Sequence, residues 1–403
     1  MKPLNPACTL AASLLLAVMP LTRAGAQTPA PAPVAATAAS NASPVPSAPT
    51  VPTNGYILVD YDSGRVLASQ RPDDRMEPAS ITKLMTGYIV FTALKDKRLT
   101  LAEEVPVSVN AWRTGGSASG GSTTFLEVNS RVPVDVLIKG MIVQSGNDAT
   151  IALAERLGGT EDGFVQVMNE YAKRLGLTNT HFMNSWGAPH PEHYSTARDL
   201  ATLSAALIRD FPEDYRLYSM REYTWNKHTQ PNRNGLLARD SSVDGIKTGH
   251  TESAKYCLVS SAKRNGMRLI SVVLGSPTIK AREDASAALL NYGFTFYETV
   301  QVAEGGKPLL KPRIFKGEEE FVSVGANKTV FVTVPRGEGA ALSKSTSING
   351  TLMAPLAKGT AVGQYEIRTG DNSVARVPLV TLAEAREGGL WRRYSDTVRL
   401  WFE

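Results

Sequence analysis

Alternating apolar and polar residues predict short strands at two distant places in the chain. Residues 56–60 and 65–69 flank the turn-forming triplet Asp-Ser-Gly at 62–64, a pattern typical of a hairpin. Residues 256–262 and 267–274 repeat the pattern around an Arg-Asn-Gly turn. We therefore expect one sheet that uses strands from both ends of the first folded domain.

Between residues 80 and 208 the apolar positions recur with helical spacing instead. The clearest example is the run Val134, Leu137, Ile138, Met141 and Ile142. A last helical stretch is predicted near 281–292. The expected fold class for residues 55–297 is α+β, with helices and an antiparallel sheet.

The predicted secondary structure changes after residue 297. Residues 300–382 break into short strand-like runs such as 329–334 and 375–382, which indicates a separate small β-sandwich domain at 298–387. Residues 388–403 then predict an amphipathic helix. Its apolar face gathers Leu390, Trp391, Tyr394, Val398, Trp401 and Phe402, and its opposite face carries Arg392, Asp396, Arg399 and Glu403. Such a helix either lies in a membrane interface or packs on its own sandwich.

The first 54 residues predict export and a linker. Residues 1–26 begin with Lys2, continue with an apolar run too short to span a bilayer, and end in Ala-Gly-Ala, as a secretory signal peptide does. Residues 27–54 consist largely of Ala, Pro, Ser, Thr and Val and carry no charge, so we expect a flexible spacer.

The amino-acid composition limits the classes of function that this chain can have. The chain has 403 residues, 42% hydrophobic and 20% charged, which suits two globular domains. Its formal charge of +5 is spread without a Lys/Arg block, so nucleic-acid binding gains no support. Cys8 would leave with the signal peptide and Cys257 would remain alone, which excludes an intramolecular disulfide in the processed chain. Cys8 also precedes the apolar run, a poor position for lipid attachment.

The strongest chemical signal is Ser80-Ile-Thr-Lys83 at the start of a predicted helix. Pro78 suits a helix entry, and a separation of three residues puts the Ser80 hydroxyl and the Lys83 amine on one face. Lys83 can act as a base only if burial and nearby positive charge keep it partly neutral. By itself the motif also fits an ordinary helix start.

Two further segments carry candidate chemistry. Ser145-Gly146-Asn147 ends a predicted helix and is either a C-cap or a pair that presents a hydroxyl and an amide to a peptide. Residues 244–251, Asp-Gly-Ile-Lys-Thr-Gly-His-Thr, precede a strand and form either a solvated turn or a strand edge that binds a peptide carboxylate. Gly249 would permit a close backbone approach there.

Together these segments resemble a known family. Ser-x-x-Lys, Ser-x-Asn 65 residues later and Lys-Thr-Gly 102 residues further are similar to the three motifs of penicillin-recognising serine enzymes. Residues 144–149, 176–182, 232–236 and 244–251 resemble low-molecular-mass D-Ala-D-Ala carboxypeptidases. The resemblance covers roughly residues 55–403 and implies their fold: a penicillin-recognising domain, a sandwich and a C-terminal helix.

The resemblance also implies roles for individual residues. Ser80 would be the acylated nucleophile, Lys83 its base and Ser145 a proton relay toward the leaving amine. Substrate binding would involve Asn147, Lys247, Thr248, Gly249, His250 and Arg233, with the N–H groups of Ser80 and His250 as the oxyanion hole. Arg233 fits a surface loop nearly as well.

The implied activity is removal of the terminal D-alanine from peptidoglycan pentapeptide stems, without a metal or other cofactor and with β-lactams as inhibitors. The expected location is the periplasm, on the outer face of the inner membrane. One departure is Trp186 before Gly187, where relatives usually carry His, which puts the shape of an active-site loop and the fine substrate preference in question.

Two rival functions fit the sequence less well, since the intact set of Ser80, Lys83, Ser145 and Lys247 weighs against a non-catalytic protein. A class A β-lactamase would carry Glu-x-x-Leu-Asn between the second and third motifs, and residues 222–226 come close only in a strand-like run. A non-catalytic peptidoglycan-binding module would also use export, a sandwich and a membrane tail. His190 and His193 suggest metal ligands, but the Pro between them and the lack of a helical pattern favour a solvated loop.

Overall fold

A computed structural model of the chain describes residues 45–401. The predicted signal peptide at 1–26 and residues 27–44 of the predicted spacer lie outside the described residues. The helices are α1 (Lys83–Lys95), α2 (Val109–Gly115), α3 (Val134–Lys139), α4 (Asn147–Gly158), α5 (Glu161–Arg174), α6 (Ala197–Asp210), α7 (Pro212–Tyr215), α8 (Leu236–Arg239), α9 (Ile279–Phe296) and α10 (Leu390–Arg399).

The strands fall into an N-terminal and a C-terminal group. The first group is β1 (Gly55–Asp60), β2 (Val66–Gln70), β3 (Glu104–Pro106), β4 (Arg131–Pro133), β5 (Glu222–Trp225), β6 (His228–Pro231), β7 (Val243–Thr251), β8 (Lys255–Arg264) and β9 (Met267–Ser276). The second group is β10 (Tyr297–Ala303), β11 (Pro308–Leu310), β12 (Ile314–Phe315), β13 (Val324–Gly325), β14 (Val330–Pro335), β15 (Leu342–Ile348), β16 (Leu352–Met353), β17 (Ala361–Thr369) and β18 (Asn372–Thr381).

The N-terminal domain is built on an antiparallel sheet with the strand order β2-β1-β9-β8-β7. Neighbouring side chains on a strand point to opposite faces, so both faces are apolar. Ile270 and Val272 of β9 join a core with α1, α4, α5 and α6, whereas Leu269 and Val273 join a second core under α9. The predicted α+β class, with a sheet drawn from both ends of the domain, is confirmed.

Helix α1 lies in the middle of the larger core. Almost every residue in its first three turns is buried, including Leu84, Ile89 and Phe91. A helix that is apolar all round has no solvent face, so its position is fixed by packing on every side. The residues at its N-terminus are therefore held in one place.

The structure also differs from the expected pattern in two ways. The block predicted as mainly helical contains the short β3–β4 pair, because strands of three residues are too short to show a two-residue period. Residues 45–54, expected to be spacer, pack on the domain: Val51 is buried, and the Pro46 carbonyl accepts a hydrogen bond from Tyr292 Oη at 2.9 Å. Scattered Val and Ala in a Pro-rich run give no periodic signal.

The C-terminal domain is all-β, as predicted. A five-stranded sheet with the order β11-β13-β18-β17-β15 and the pair β10–β14 contribute to one apolar core, which includes Val332, Ile367 and Leu379. Among residues 45–401, no helix has the length and apolar character needed to cross a bilayer.

Helix α10 contacts the β domain through its polar face. Asp396 is fully buried and accepts a hydrogen bond from the Lys316 backbone N–H at 2.6 Å. The guanidinium groups of Arg313, Arg392 and Arg399 lie 3.6–3.9 Å from its carboxylate. The opposite face is open to solvent, and its apolar residues Leu390, Trp391, Tyr394 and Trp401 are 69–87% exposed. The helix therefore packs on the protein and still presents its aromatic face outward.

Candidate active site

One cavity of about 580 Å³ brings the three sequence motifs together. The residues that line it are Ser80, Gly120, Gly121, Ser122, Ser145, Asn147, Trp186, Gly187, Arg233, Thr248, Gly249, His250, Thr251, Tyr256, Ile279 and Arg282. They come from the turn before α1, the turn before α4, strands β7 and β8, the start of α9 and three loops. Lys83 and Lys247 lie beneath this lining and are 1% and 3% exposed.

Ser80 lies in a single 3-10 turn, Ala79–Thr82, that leads directly into α1. Two glycines let other segments close on this turn. A Cβ atom at Gly187 would lie 1.9 Å from the Ala79 carbonyl oxygen, and one at Gly249 would lie 2.7 Å from the Pro78 carbonyl oxygen. Gly187 also has a φ of +97°, which residues with a Cβ rarely adopt. These contacts bring strand β7 and the 184–187 loop against the serine.

The Lys83 amine lies within hydrogen-bond distance of the Ser80 hydroxyl. Its Nζ lies 2.9 Å from Ser80 Oγ, 2.8 Å from Asn147 Oδ1 and 2.8 Å from the Trp186 carbonyl oxygen. Burial, followed by the positive charges of Lys247 and Arg233, holds the pKa of Lys83 well below its usual value. A neutral amine has two N–H groups and one lone pair. The two carbonyl oxygens take the N–H groups, which leaves the lone pair for the Ser80 hydroxyl proton.

Ser145 and Lys247 form a second buried pair. Ser145 follows the π-helical turn Gly140–Gln144 in a left-handed conformation with a φ of +59°, and this sharp turn aims its side chain into the cavity wall. Lys247 Nζ lies 2.9 Å from Ser145 Oγ and 3.2 Å from the Thr248 carbonyl oxygen. Burial, Arg233 and Arg282 lower the pKa of Lys247 to about 7. The pair can therefore pass or hold a proton near neutral pH.

The loop across the cavity from α1 is held by Asp148. This fully buried carboxylate accepts hydrogen bonds from Thr124 N–H at 2.8 Å, Leu126 N–H at 3.1 Å and the Thr123 hydroxyl at 2.8 Å. These bonds fix residues 122–126 against the turn that carries Ser145 and Asn147. The Ser122 carbonyl oxygen in turn accepts a hydrogen bond from Asn147 N–H at 2.8 Å.

Cationic side chains converge at the β7 end of the cavity. Arg233 Nε donates to the Gln144 carbonyl oxygen at 3.2 Å, and Arg282 Nη2 donates to the Arg233 carbonyl oxygen at 3.2 Å. Thr248 is buried beside them, whereas the His250 ring is exposed and stacks on Tyr256 with 4.2 Å between ring centroids. None of the described residues that line the cavity is Asp or Glu. This end therefore suits a carboxylate.

Sequence reasoning missed Arg282 and Asp148. Arg282 is 4% exposed and occupies an inward position on α9, one turn before Ala285 and Ser286. A charged residue on the buried face of a predicted helix was the available signal. Asp148 directly follows the second motif, and nothing in the sequence indicates which backbone N–H groups a buried carboxylate will bind.

The expectation that 190–193 is a solvated loop is wrong for His193. His190 is exposed, but His193 is 2% exposed; its Nδ1 accepts from Met183 N–H at 3.2 Å, and its Nε2 lies 2.8 Å from Thr82 Oγ1. Burial lowers the pKa of His193 to about 4, so the neutral ring supports the Ser80 turn through Thr82. Within the described part of the chain, no group of three His, Cys, Asp or Glu side chains is arranged to hold a metal ion.

Comparison with known proteins gives matches along most of the chain. A family model described as D-alanyl-D-alanine carboxypeptidase matches residues 42–278, and one described as penicillin-binding protein 5, C-terminal domain, matches residues 297–387. D-alanyl-D-alanine carboxypeptidase DacC of Escherichia coli K12 is 44% identical over 88% of this chain and 90% of its own length.

Solved structures agree with these matches. Penicillin binding protein 5 from Haemophilus influenzae has 42% identity and a TM-score of 0.81, over 85% of this chain and 99% of its own. Penicillin binding protein 6B from Escherichia coli has 36% identity and a TM-score of 0.71, over 85% and 99% of the two chains.

Proposed function

Because the chain belongs to the D-alanyl-D-alanine carboxypeptidase family, we propose that Ser80 is the nucleophile with which it removes the terminal D-alanine from peptidoglycan stem peptides. The observation that carries this assignment is the contact of 2.9 Å between Ser80 Oγ and the buried Lys83 amine. A serine hydroxyl is a weak nucleophile until an adjacent base takes its proton, and a lysine with a lowered pKa is such a base.

The reaction runs in two acyl-transfer steps. Ser80 Oγ attacks the carbonyl carbon of the D-Ala-D-Ala bond while its proton passes to Lys83. The C–N bond then breaks, and the leaving amine of D-alanine receives a proton through Ser145, whose hydroxyl is backed by Lys247. Water hydrolyses the Ser80 ester and releases the shortened peptide. β-Lactams inhibit by acylating the same hydroxyl.

Substrate binding is assigned to the two sides of Ser80. The terminal carboxylate binds at the β7 end, to Lys247 and Thr248 with support from Arg233 and Arg282. The Asn147 oxygen is taken by Lys83, which leaves its amide nitrogen for a substrate carbonyl. The N–H groups of Ser80 and His250 form the oxyanion hole, where each donor contributes about 3 kcal/mol in other acyl-transfer enzymes. Gly249 keeps β7 close enough for this geometry.

Labelling with a fluorescent penicillin tests the assignment. Wild type should capture one equivalent, and Ser80→Ala should capture none while it remains folded by circular dichroism. No labelling of the wild type would favour a non-catalytic peptidoglycan-binding module. Rapid turnover of penicillin without release of D-alanine from a D-Ala-D-Ala peptide would favour a β-lactamase. The absence of Asp and Glu from the described cavity lining supports the carboxypeptidase, because class A β-lactamases activate their deacylating water with a glutamate.

The proposed domains and location complete the assignment. Residues 1–26 direct export and are removed, residues 27–44 are a spacer, and the catalytic and sandwich domains occupy 55–297 and 298–387. The enzyme then acts in the periplasm, where peptidoglycan stems are accessible. N-terminal sequencing of protein recovered from a periplasmic fraction tests this proposal: a start at Gln27 is expected, and an intact Met1 in the cytoplasm would contradict it.

The partner of residues 388–403 in this proposal is the inner-membrane surface. The outward face of Leu390, Trp391, Tyr394 and Trp401 supports it, since exposed aromatic residues next to arginines suit the interface between acyl chains and headgroups. Vesicles with anionic lipid should bind wild type, and the double variant Trp391→Ser/Trp401→Ser should bind at least about tenfold more weakly. Trp112→Ser, at an exposed tryptophan of α2, is the control. Equal binding by the two variants would refute membrane attachment through α10.

A further inference from the structure

The Trp186 side chain lines the catalytic cavity without a part in the proton transfers above. Its indole ring centroid lies 5.9 Å from Lys83 Nζ, and its carbonyl oxygen accepts a hydrogen bond from the same amine. The sequence marked this position as a departure from the pattern of relatives. Its place beside the base gives it two possible effects, one on water around Lys83 and one on the substrate.

The loop that carries Trp186 is held firmly on both sides. Ser185 donates to Glu161 from its N–H at 3.0 Å and from its hydroxyl at 2.7 Å, and its carbonyl oxygen accepts from the Thr86 hydroxyl at 2.6 Å. Asn184 Oδ1 accepts from the N–H groups of Gly187 at 2.7 Å and Ala188 at 2.8 Å. These bonds hold the backbone of Trp186 in place at the cavity wall, where its side chain forms part of the lining.

The cavity is chemically divided. Arg233 and Arg282 lie at the β7 end, where the substrate carboxylate binds, whereas Trp186 and Gly187 cover the Lys83 end with an aromatic surface and no charge. A peptide that places its terminal carboxylate at the cations extends its acyl-donor part toward the other end. The residue there is the penultimate D-alanine, whose only side-chain group is a methyl.

We propose that Trp186 is a specificity-determining residue whose indole excludes water from Lys83 and packs against the penultimate D-alanine methyl of the substrate. This inference rests on the proposed acylation of Ser80 and adds a residue to it. The indole replaces water around the amine with apolar surface, which disfavours the ammonium form. The same surface contacts a methyl group in the acyl-enzyme and in the transition state that leads to it.

The first test is the pH dependence of penicillin acylation. Lys83 must be neutral to accept the proton, so the acylation rate falls as the pH decreases through its pKa. Trp186→Ala and Trp186→His admit water, raise the pKa of Lys83 and should move this acidic limb upward by about one pH unit, with the rate recovering at high pH. Trp186→Phe keeps an apolar ring and should leave the limb in place. Trp225→Ala is the matched control outside the cavity.

The second test separates the two ends of the substrate. Wild type should prefer diacetyl-L-Lys-D-Ala-D-Ala over diacetyl-L-Lys-Gly-D-Ala by about fourfold in kcat/KM for the lost methyl contact. Trp186→Ala should lose this preference and keep its discrimination against diacetyl-L-Lys-D-Ala-Gly, in which the terminal methyl is absent. A merely structural defect would lower all three rates together and leave the acidic limb where it was.

If the acidic limb of Trp186→Ala stays in place, the water-excluding role is overturned. A limb that moves to lower pH would also overturn it, because attraction of the Lys83 ammonium to the ring would then be the dominant effect in wild type. An unchanged preference for the penultimate methyl would overturn the contact with substrate. If Trp186→Ala does not fold, the comparison of Trp186→His with Trp186→Phe decides the same questions. If wild type is not acylated by penicillin at all, the assignment of Ser80 as the nucleophile is refuted instead.

Discussion

Replacement of Lys83 by arginine separates a base from a fixed positive charge. In the structure the amine is 1% exposed, and burial and two cationic neighbours lower its pKa. Arginine keeps the positive charge, but its pKa lies so far above neutral that it offers no neutral amine at pH 7. Loss of general-base catalysis costs about 10²–10⁴ in rate. We therefore expect Lys83→Arg to acylate at least about a hundredfold more slowly than wild type.

The assay is the time course of fluorescent-penicillin labelling at pH 7, with intact-protein mass spectrometry as the readout of the adduct. Lys83→Met, which is uncharged and also lacks a base, is the companion variant, and it should be as slow as Lys83→Arg. Acylation by Lys83→Arg within threefold of the wild-type rate would refute the reasoning, because no neutral amine would then be needed.

Three further predictions concern the walls of the cavity and their supports. Arg282→Ala should raise KM for a D-Ala-D-Ala peptide about tenfold or more with a smaller change in kcat, and an unchanged KM in steady-state assays would remove Arg282 from carboxylate binding. Arg233→Gln removes a positive neighbour, so the pKa of Lys247 should rise above its value of about 7; a titration of Lys247 monitored by NMR that stays in place would contradict this. Asp148→Ala leaves three hydrogen-bond donors of the 122–126 loop without their acceptor. It should lower the free energy of unfolding, measured by urea titration, by about 2–4 kcal/mol. A loss below about 0.5 kcal/mol would show that the loop does not depend on Asp148.

Much of the fold could be predicted because its signals are local. The β1–β2 hairpin, the helical block and the strands after residue 300 each show a period of two or 3.6 residues over enough chain to be recognised. The packing of residues 45–54 was not predicted, because their burial against α9 depends on where that helix lies and no short-range pattern encodes that position. The three-residue strands β3 and β4 were not predicted, because they are too short to show a two-residue alternation of apolar and polar positions.

The candidate site was predictable where one residue acts on a neighbour three or four positions away. Ser80 and Lys83 share a helix face by spacing alone, and the structure places their reactive atoms 2.9 Å apart. The convergence of Ser145 and Lys247 spans 102 residues and could be expected only from resemblance to a family. Neither spacing nor the family motifs indicated the roles of Arg282 and His193, because these roles depend on tertiary packing against β7 and Thr82.

The location of the acyl adduct tests the central claim most directly. Purified protein is incubated with penicillin and, separately, with a D-Ala-D-Ala peptide, then digested and mapped by tandem mass spectrometry while released D-alanine is measured. We predict a penicilloyl adduct on Ser80, together with D-alanine release that Ser80→Ala abolishes. An adduct on another residue, or D-alanine release that survives in Ser80→Ala, would contradict the account.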